Sequence, residues 1–223
     1  MLQVNNLSFD YADAPLLEQV NFAVPAGKLL HLQGENGSGK TTLLKLISGL
    51  LSPSEGEIYF KGEPVERSLK AYQRQLCYIG HKPGISPALS PRQNVFFDTH
   101  HGRRPMDFDR SIHALSLQGL EDVPCFQLSA GQRRRVTLLR LLMTTAQLWL
   151  LDEPFIALDT RAIDFLKERL LEHLGQGGAV VVTSHQSLPF SRDAHLAWSL
   201  DKTACKKTHA VLSKYNFPNS IER

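Results

Sequence analysis

Residues 2–9 and 16–24 alternate apolar and polar side chains, the period-two pattern of half-buried strands, with the turn-forming stretch Asp10-Tyr11-Ala12-Asp13-Ala14-Pro15 between them. Residues 28–33 form a short apolar run ending in Gly34-Glu35-Asn36-Gly37-Ser38-Gly39-Lys40-Thr41-Thr42, after which Leu43, Leu44, Leu46 and Ile47 recur at helical spacing. That order predicts strand, glycine loop, helix. Residues 49–55 read as the helix stop and a turn, and 57–60 as another strand. The proline-rich stretch 82–91 enters a helical region, with helices expected over 92–99, 107–117 and 131–144 and a break at Gly102-Arg103-Arg104-Pro105. Residues 147–151 and 179–183 are near-continuous apolar runs, as in parallel strands buried on both faces. The helix between them, 161–174, stops at Gly175-Gln176-Gly177-Gly178. Strand and helix therefore alternate, and an α/β sheet with a helical insertion is expected.

Composition narrows the class of function. The 223 residues, 42% hydrophobic and 21% charged, suffice for a full hydrophobic core. A membrane span needs ~20 consecutive apolar residues. The best candidate, 138–151, is interrupted by Arg140, Thr144, Thr145 and Gln147. Met1-Leu2-Gln3-Val4 lacks the basic and apolar start of a secretory signal, so a cytoplasmic address is expected. With 25 Lys+Arg against 22 Asp+Glu the net charge is only +3, and no long basic stripe points to nucleic acid. Cys77, Cys125 and Cys205 stand apart without a C-x-x-C pair and are expected to be reduced. Cys77-x3-His81, Cys205-x3-His209 and the adjacent His100-His101 fall short of the ligand count of a structural metal site.

Gly34-x4-Gly39-Lys40-Thr41 matches the Walker A pattern. Glycines let backbone N–H groups turn inward around a phosphate without Cβ clashes, and the following helix adds the positive end of its dipole. Lys40 is placed to neutralise β/γ oxygens and Thr41 to offer a hydroxyl to Mg²⁺. The expected nucleotide site runs over Gly34, Glu35, Asn36, Gly37, Ser38, Gly39, Lys40, Thr41 and Thr42. Downstream, Leu148-Trp149-Leu150-Leu151-Asp152-Glu153 delivers two acidic residues to the carboxyl end of a strand, where ligands of open α/β sheets bind. Asp152 is expected to hold Mg²⁺ through water, and Glu153 to polarise the water attacking the γ-phosphate. Leu128-Ser129-Ala130-Gly131-Gln132 opens another helix and reads either as a plain N-cap or as a second anion site. Two helix N-termini exceed what one nucleotide needs, so a second molecule is implied. The following Arg133, Arg134 and Arg135 read as a solvated basic face.

Leu128-Ser-Ala-Gly-Gln132, upstream of the Asp152-Glu153 strand, resembles the signature motif of the ABC-type ATPases. The resemblance spans roughly residues 1–200. It implies an ABC-type P-loop ATPase domain over 1–200 with a central parallel sheet, an N-terminal antiparallel β subdomain and a helical subdomain at about 82–145. The tail, 201–223, has no assignable role. Within that frame Tyr11 looks like the adenine-stacking aromatic, Asp159 like the D-loop acid and His185 like the switch histidine. Glu153, His185 and Lys40 would be catalytic. Ser129, Ala130, Gly131 and Gln132 would face the ATP of a partner subunit in a head-to-tail homodimer, with Ala130 departing from the usual glycine. His81 stands where the family's Q-loop has a glutamine, and a histidine there would respond to pH as a glutamine would not.

Gly80-His81-Lys82-Pro83-Gly84-Ile85 resembles the CcmA family, the ATP-binding subunits of bacterial cytochrome c maturation. Gln127-Leu-Ser-Ala-Gly-Gln-x-Arg-Arg-Val136, Leu148-Trp-x-Leu-Asp-Glu-Pro-Phe155 and Ser184-His185-Gln186 agree with it. The resemblance implies ATP and Mg²⁺ as ligands, hydrolysis of ATP to ADP and phosphate, and a peripheral place on the cytoplasmic face of the inner membrane. It implies membrane partners resembling CcmB, CcmC and CcmD, and either haem export or release of haem-loaded CcmE. A subunit of another small transporter and a soluble ABC-type assembly ATPase share the same nucleotide motifs. The long coiled-coil insertion of repair ATPases is missing, since 44–148 holds no sustained heptads.

Overall fold

The computed structural model describes residues 1–11, 14–97, 108–185, 187–190 and 195–200. The expectations that fall on His100, His101, residues 102–105, Gln186, Cys205, His209 and the tail lie outside them. Two sheets share the chain. Strands β1 (Leu2–Tyr11), β2 (Ala14–Val24), β4 (Glu55–Phe60) and β5 (Glu63–Pro64) form an antiparallel sheet of order β2-β1-β4-β5. Strands β3 (Leu29–Gln33), β6 (Leu76–Ile79), β7 (Leu148–Asp152), β8 (Ala179–Thr183) and β9 (Leu196–Ser199) form a parallel sheet of order β6-β7-β8-β3-β9.

The parallel strands separate two cores by simple alternation. Leu30, Leu32, Leu148, Leu150, Ala179 and Val181 face helix α1 (Lys40–Ile47) and the antiparallel sheet. Their neighbours Leu29, Trp149, Leu151, Val180 and Val182 face the other helices. Those are α3 (Pro91–Phe97), α4 (Phe108–Ala114), α5 (Ala130–Met143) and α6 (Thr160–Gly175), while the short α2 (Leu69–Gln73) precedes β6. With both faces covered, every position in β7 and β8 is buried, which is why these strands read as unbroken apolar runs. Among the described residues no helix is long and apolar enough to cross a membrane.

Several boundaries differ from the sequence expectation. Asp10, Tyr11, Ala14 and Pro15 belong to the strands they were expected to separate, because Asp10 pairs with Pro15 and Tyr11 with Ala14 in the hairpin register. Helix α4 ends at Ala114 rather than 117, and Ser116, at φ 52, turns the chain out of it. β9 and α2 carry no clear periodicity in sequence; β9 exists because its backbone pairs with β3. The largest correction is Arg134, expected on a solvated basic face and in fact only 8% exposed beneath the sheet's edge.

Candidate functional site

Four parallel strands deliver chemistry at their carboxyl ends, the general location of ligand sites in open α/β sheets. β3 leads into the glycine loop, β6 into Gly80 and His81, β7 into Asp152 and Glu153, and β8 into Thr183, Ser184 and His185. After β3 the loop is shaped by Gly34, Gly37 and Gly39, at φ 149, 77 and 102. A Cβ on Gly39 would come within 2.9 Å of Leu17 Cδ2, and one on Gly34 within 2.6 Å of Ser38 Oγ. The antiparallel sheet thus presses on the loop from behind, and glycine is required where it does. Gly39 caps α1 without a side-chain bond, leaving the helix N-terminus open for an anion. Ser38 Oγ is buried with no hydrogen-bond partner, an unsatisfied donor inside the loop. Lys40, 7% exposed, folds back and donates from Nζ to the carbonyls of Gly34 and Glu35, both at 2.7 Å. Glu35, Asn36 and Gly37 are exposed, and Thr42 is buried.

The buried carboxylate of Asp152 joins two strands and the helix. Thr41 Oγ1 donates to its Oδ2 at 2.8 Å, and Thr183 Oγ1 donates to its Oδ1 at 2.7 Å. Thr183 Oγ1 also accepts from the Glu153 N–H at 3.0 Å. Sequence reasoning missed Thr183, although it is the single polar residue of Ala-Val-Val-Val-Thr. Glu153 sits at φ 51, a left-handed conformation that costs an L-residue roughly 1–2 kcal/mol and is typical of functional sites. There its Oε1 lies 2.6 Å from His185 Nε2. Beside this group Tyr78 is half-buried, and burial together with the Asp152 charge pushes its phenol up to about 12, so it stays neutral.

The remaining expected residues are dispersed. Ser129 caps α5 in a full capping box, its Oγ accepting from the Gln132 N–H at 3.2 Å and Gln132 Oε1 accepting from the Ser129 N–H at 2.8 Å. Ser129 and Ala130 are exposed, and among the described residues no hydrogen bond or ion pair joins residues 129–132 to 34–42. Gly131 lies near Ala157 O, which a Cβ there would approach at 3.9 Å. Asp159 caps α6 by accepting from the Ala162 N–H and pairs with Arg135 at 2.9 Å. Tyr11 is 54% exposed and its ring meets that of Phe9 edge to face, with centroids 5.1 Å apart. His81 is exposed at the end of β6.

A second buried polar chain runs behind the site. His31, 4% exposed on β3, receives a bond from Gln33 Nε2 at its Nδ1, 3.1 Å away, and its Nε2 lies 3.4 Å from the Ser184 carbonyl. The His195 ring packs 5.7 Å from it. Burial pulls His31 below the ordinary histidine value, the Ser184 carbonyl opposes this, and His195 adds to it. The unfolded chain therefore takes up a proton at His31 near pH ~6.5, and the folded chain does so only at a lower pH. Stability from this group is complete above that pH and is lost as the pH falls through the folded-state value. The thermal midpoint of the protein is expected to drop between pH 7 and 5.5 more steeply than that of His31→Gln. Parallel curves for the two would show that His31 does not titrate in this way.

The fold and this geometry define a P-loop ATPase of the ABC type. The ABC transporter family model matches residues 17–156. The "Cytochrome c biogenesis ATP-binding export protein CcmA" of Legionella pneumophila (strain Lens) is 50% identical over 192 residues, 86% of this chain and 96% of that protein. The protein of the same name from Salmonella typhi is 44% identical over 194 residues, 86% and 93% of the two chains. The chain belongs to the ABC transporter family and, within it, to the CcmA proteins. Among solved structures, an ATP-binding subunit of an ABC transporter superimposes with a TM-score of 0.76 at 29% identity, covering 83% of this chain and 79% of that one. A dimeric ATP-binding cassette in a post-hydrolysis state with ADP and Pi bound gives 0.69 at 25% identity, covering 83% and 88%. The chain is accordingly an ATP-binding, ATP-hydrolysing domain.

Proposed function

We propose that this chain is the ATP-hydrolysing subunit of a membrane complex for c-type cytochrome biogenesis, coupling hydrolysis to haem export or to release of haem-loaded CcmE. The observation that carries the reading is the 50% identity, over nearly the whole length, to a protein named for that process. Two copies pair head to tail, so that Ser129, Ala130, Gly131 and Gln132 of one meet the ATP held by the other, and Asp159 lies at the same junction. The exposure of Ser129, Ala130 and Asp159, and the lack among the described residues of any bond from 129–132 to residues 34–42 of their own chain, support this arrangement. Membrane subunits resembling CcmB, CcmC and CcmD hold the dimer at the cytoplasmic face of the inner membrane, with the helical subdomain at about 82–145 turned toward them.

At the site, the open N-terminus of α1 and the inward N–H groups of the loop bind the phosphates, and the unpartnered Ser38 Oγ is satisfied there. Lys40 exchanges its two carbonyl partners for phosphate oxygens. Tyr11 stacks on the base. The hard oxygen donors Thr41 and Asp152 would hold Mg²⁺, which supplies charge neutralisation at the phosphates. Glu153 orients and polarises the attacking water, while His185, 2.6 Å from it, holds that carboxylate in place and senses the γ-phosphate. His81, at the end of the strand beside Asp152, links the γ-phosphate side to the membrane partner.

The coupling surface follows His81 directly. Gly84 and Ile85 line a cavity of about 220 Å³ together with Phe97 and Arg140, and Phe96 and Phe97 are 57% and 59% exposed. A pull-down from detergent-solubilised membranes is expected to retain a CcmB-like subunit, and Pro83→Ala or Ile85→Asp to lose it while ATP affinity stays unchanged. Recovery of soluble partners only would remove the membrane reading. Unchanged co-purification by both variants would move the coupling surface elsewhere.

A further inference from the structure

The buried Arg134 has no place in the roles assigned above. It extends from α5, one turn past the Ser129 cap, and reaches across the sheet's carboxyl edge. Its Nη1 donates to the Gly80 carbonyl at 2.7 Å, and its Nη2 donates to the carbonyls of Asp152 at 2.7 Å and Glu153 at 3.0 Å. One rigid guanidinium therefore spans three elements: the signature helix, the end of β7 with its left-handed Glu153, and the peptide before His81. Burial disfavours its charge and the Asp152 and Glu153 carboxylates offset that, yet a guanidinium stays protonated in proteins. A cation is costly to bury without a carboxylate in contact, and simple packing would be served by an apolar side chain. The planar fork is what the three carbonyl positions require: a lysine offers a point charge, and a glutamine lacks the reach and the donor count.

We propose that Arg134 is a positioning residue that locks the Glu153 backbone and the His81 peptide to the signature helix, so that engagement of the partner's ATP by Ser129 and Gly131 sets the hydrolytic geometry of the chain's own site. This rests on the reading of Glu153 and of the head-to-tail dimer given above. The hydrogen bonds of the guanidinium go to the backbone carbonyls of Gly80, Asp152 and Glu153 and not to the phosphate loop at 34–42, so its loss is expected to change nucleotide affinity little. Closure of the dimer moves the N-terminal end of α5, and the guanidinium transmits that movement to the carbonyl of Glu153. A small shift of that peptide aligns or misaligns the Glu153 carboxylate with the attacking water.

Full-length wild type, Arg134→Lys, Arg134→Gln and Arg134→Met are compared for kcat, KM, affinity for a fluorescent ATP analogue and thermal midpoint. For Gln and Met, kcat is expected to fall about ten- to hundred-fold, the scale of a misplaced catalytic group, with affinity within about two-fold of wild type. Arg134→Lys, which keeps some of the bonds, is expected to recover part of kcat. In a Glu153→Gln background the ATP-dependent dimer is expected to form with or without Arg134, because the strut acts after closure. Wild-type kcat in the Gln and Met variants would overturn the proposal, as would a loss of affinity equal to the loss of kcat or a dimer that no longer forms. If Arg134→Met is unfolded at assay temperature, Arg134→Lys decides by the same split between kcat and affinity. Wild-type hydrolysis by Glu153→Gln alone would instead remove the reading of Glu153 and leave the Arg134 measurements standing as they are.

Discussion

Glu153→Gln is expected to lower the steady-state rate of ATP hydrolysis about 10²- to 10⁴-fold, the range lost when a positioned general base is removed. Glutamine has the same shape, can accept from His185 at the same 2.6 Å contact and can occupy the same left-handed backbone, so the thermal midpoint should barely move. The phosphate loop is untouched, and ATP affinity is expected to stay within about two-fold of wild type. What changes is the step after binding. In the proposed cycle hydrolysis opens the dimer, so the variant should accumulate as an ATP-bound dimer visible by gel filtration with ATP and absent with ADP. Phosphate release at the wild-type rate would show that another group activates the water.

Lys40→Ala acts at the opposite end of the cycle. Lys40 is 7% exposed, and its ammonium donates to two loop carbonyls at 2.7 Å. Its removal deletes the loop's internal brace and the cation proposed to meet the phosphates. A hydrogen bond to a charged group is worth about 1.5–3 kcal/mol, so the dissociation constant for ATP is expected to rise roughly 10- to 150-fold. Hydrolysis falls with it, and the ATP-dependent dimer disappears even in a Glu153→Gln background. Titration of a fluorescent nucleotide measures the shift, and unchanged affinity would place the phosphates elsewhere. The two substitutions separate binding from chemistry: one keeps ATP and traps the dimer, the other weakens capture of ATP.

Much of this site is legible in the sequence because its physical demands are local. A loop that wraps a phosphate needs closely spaced glycines, then a lysine and a hydroxyl on the first helical turn, and all of these lie within Gly34 to Thr42. A capping box needs Ser129 and Gln132 three residues apart, a spacing that the chain itself displays. The doubly covered strands announce themselves as apolar runs. What escaped is non-local. β9 is a strand because β3 offers it an edge. Thr183 matters because β8 lies beside β7 and brings its hydroxyl to Asp152, 31 residues away. Arg134 sits in a run of three arginines that looks like a solvated face, and its burial follows from how α5 lies on the sheet's edge. His31 interrupts an apolar strand, but its partner Ser184 is 153 residues distant.

The sequence alone therefore determined the class of ligand, the glycine loop proposed to cradle it, the acidic pair and the alternation of strand and helix, since each depends on neighbours within a turn or a strand. Only the tertiary structure decided which side chains converge on Asp152, that Glu153 adopts a left-handed backbone against His185, and that one arginine ties the signature helix to both acidic carbonyls. These depend on strand order and helix docking, which the burial of two separate cores sets across the whole chain and no local spacing encodes.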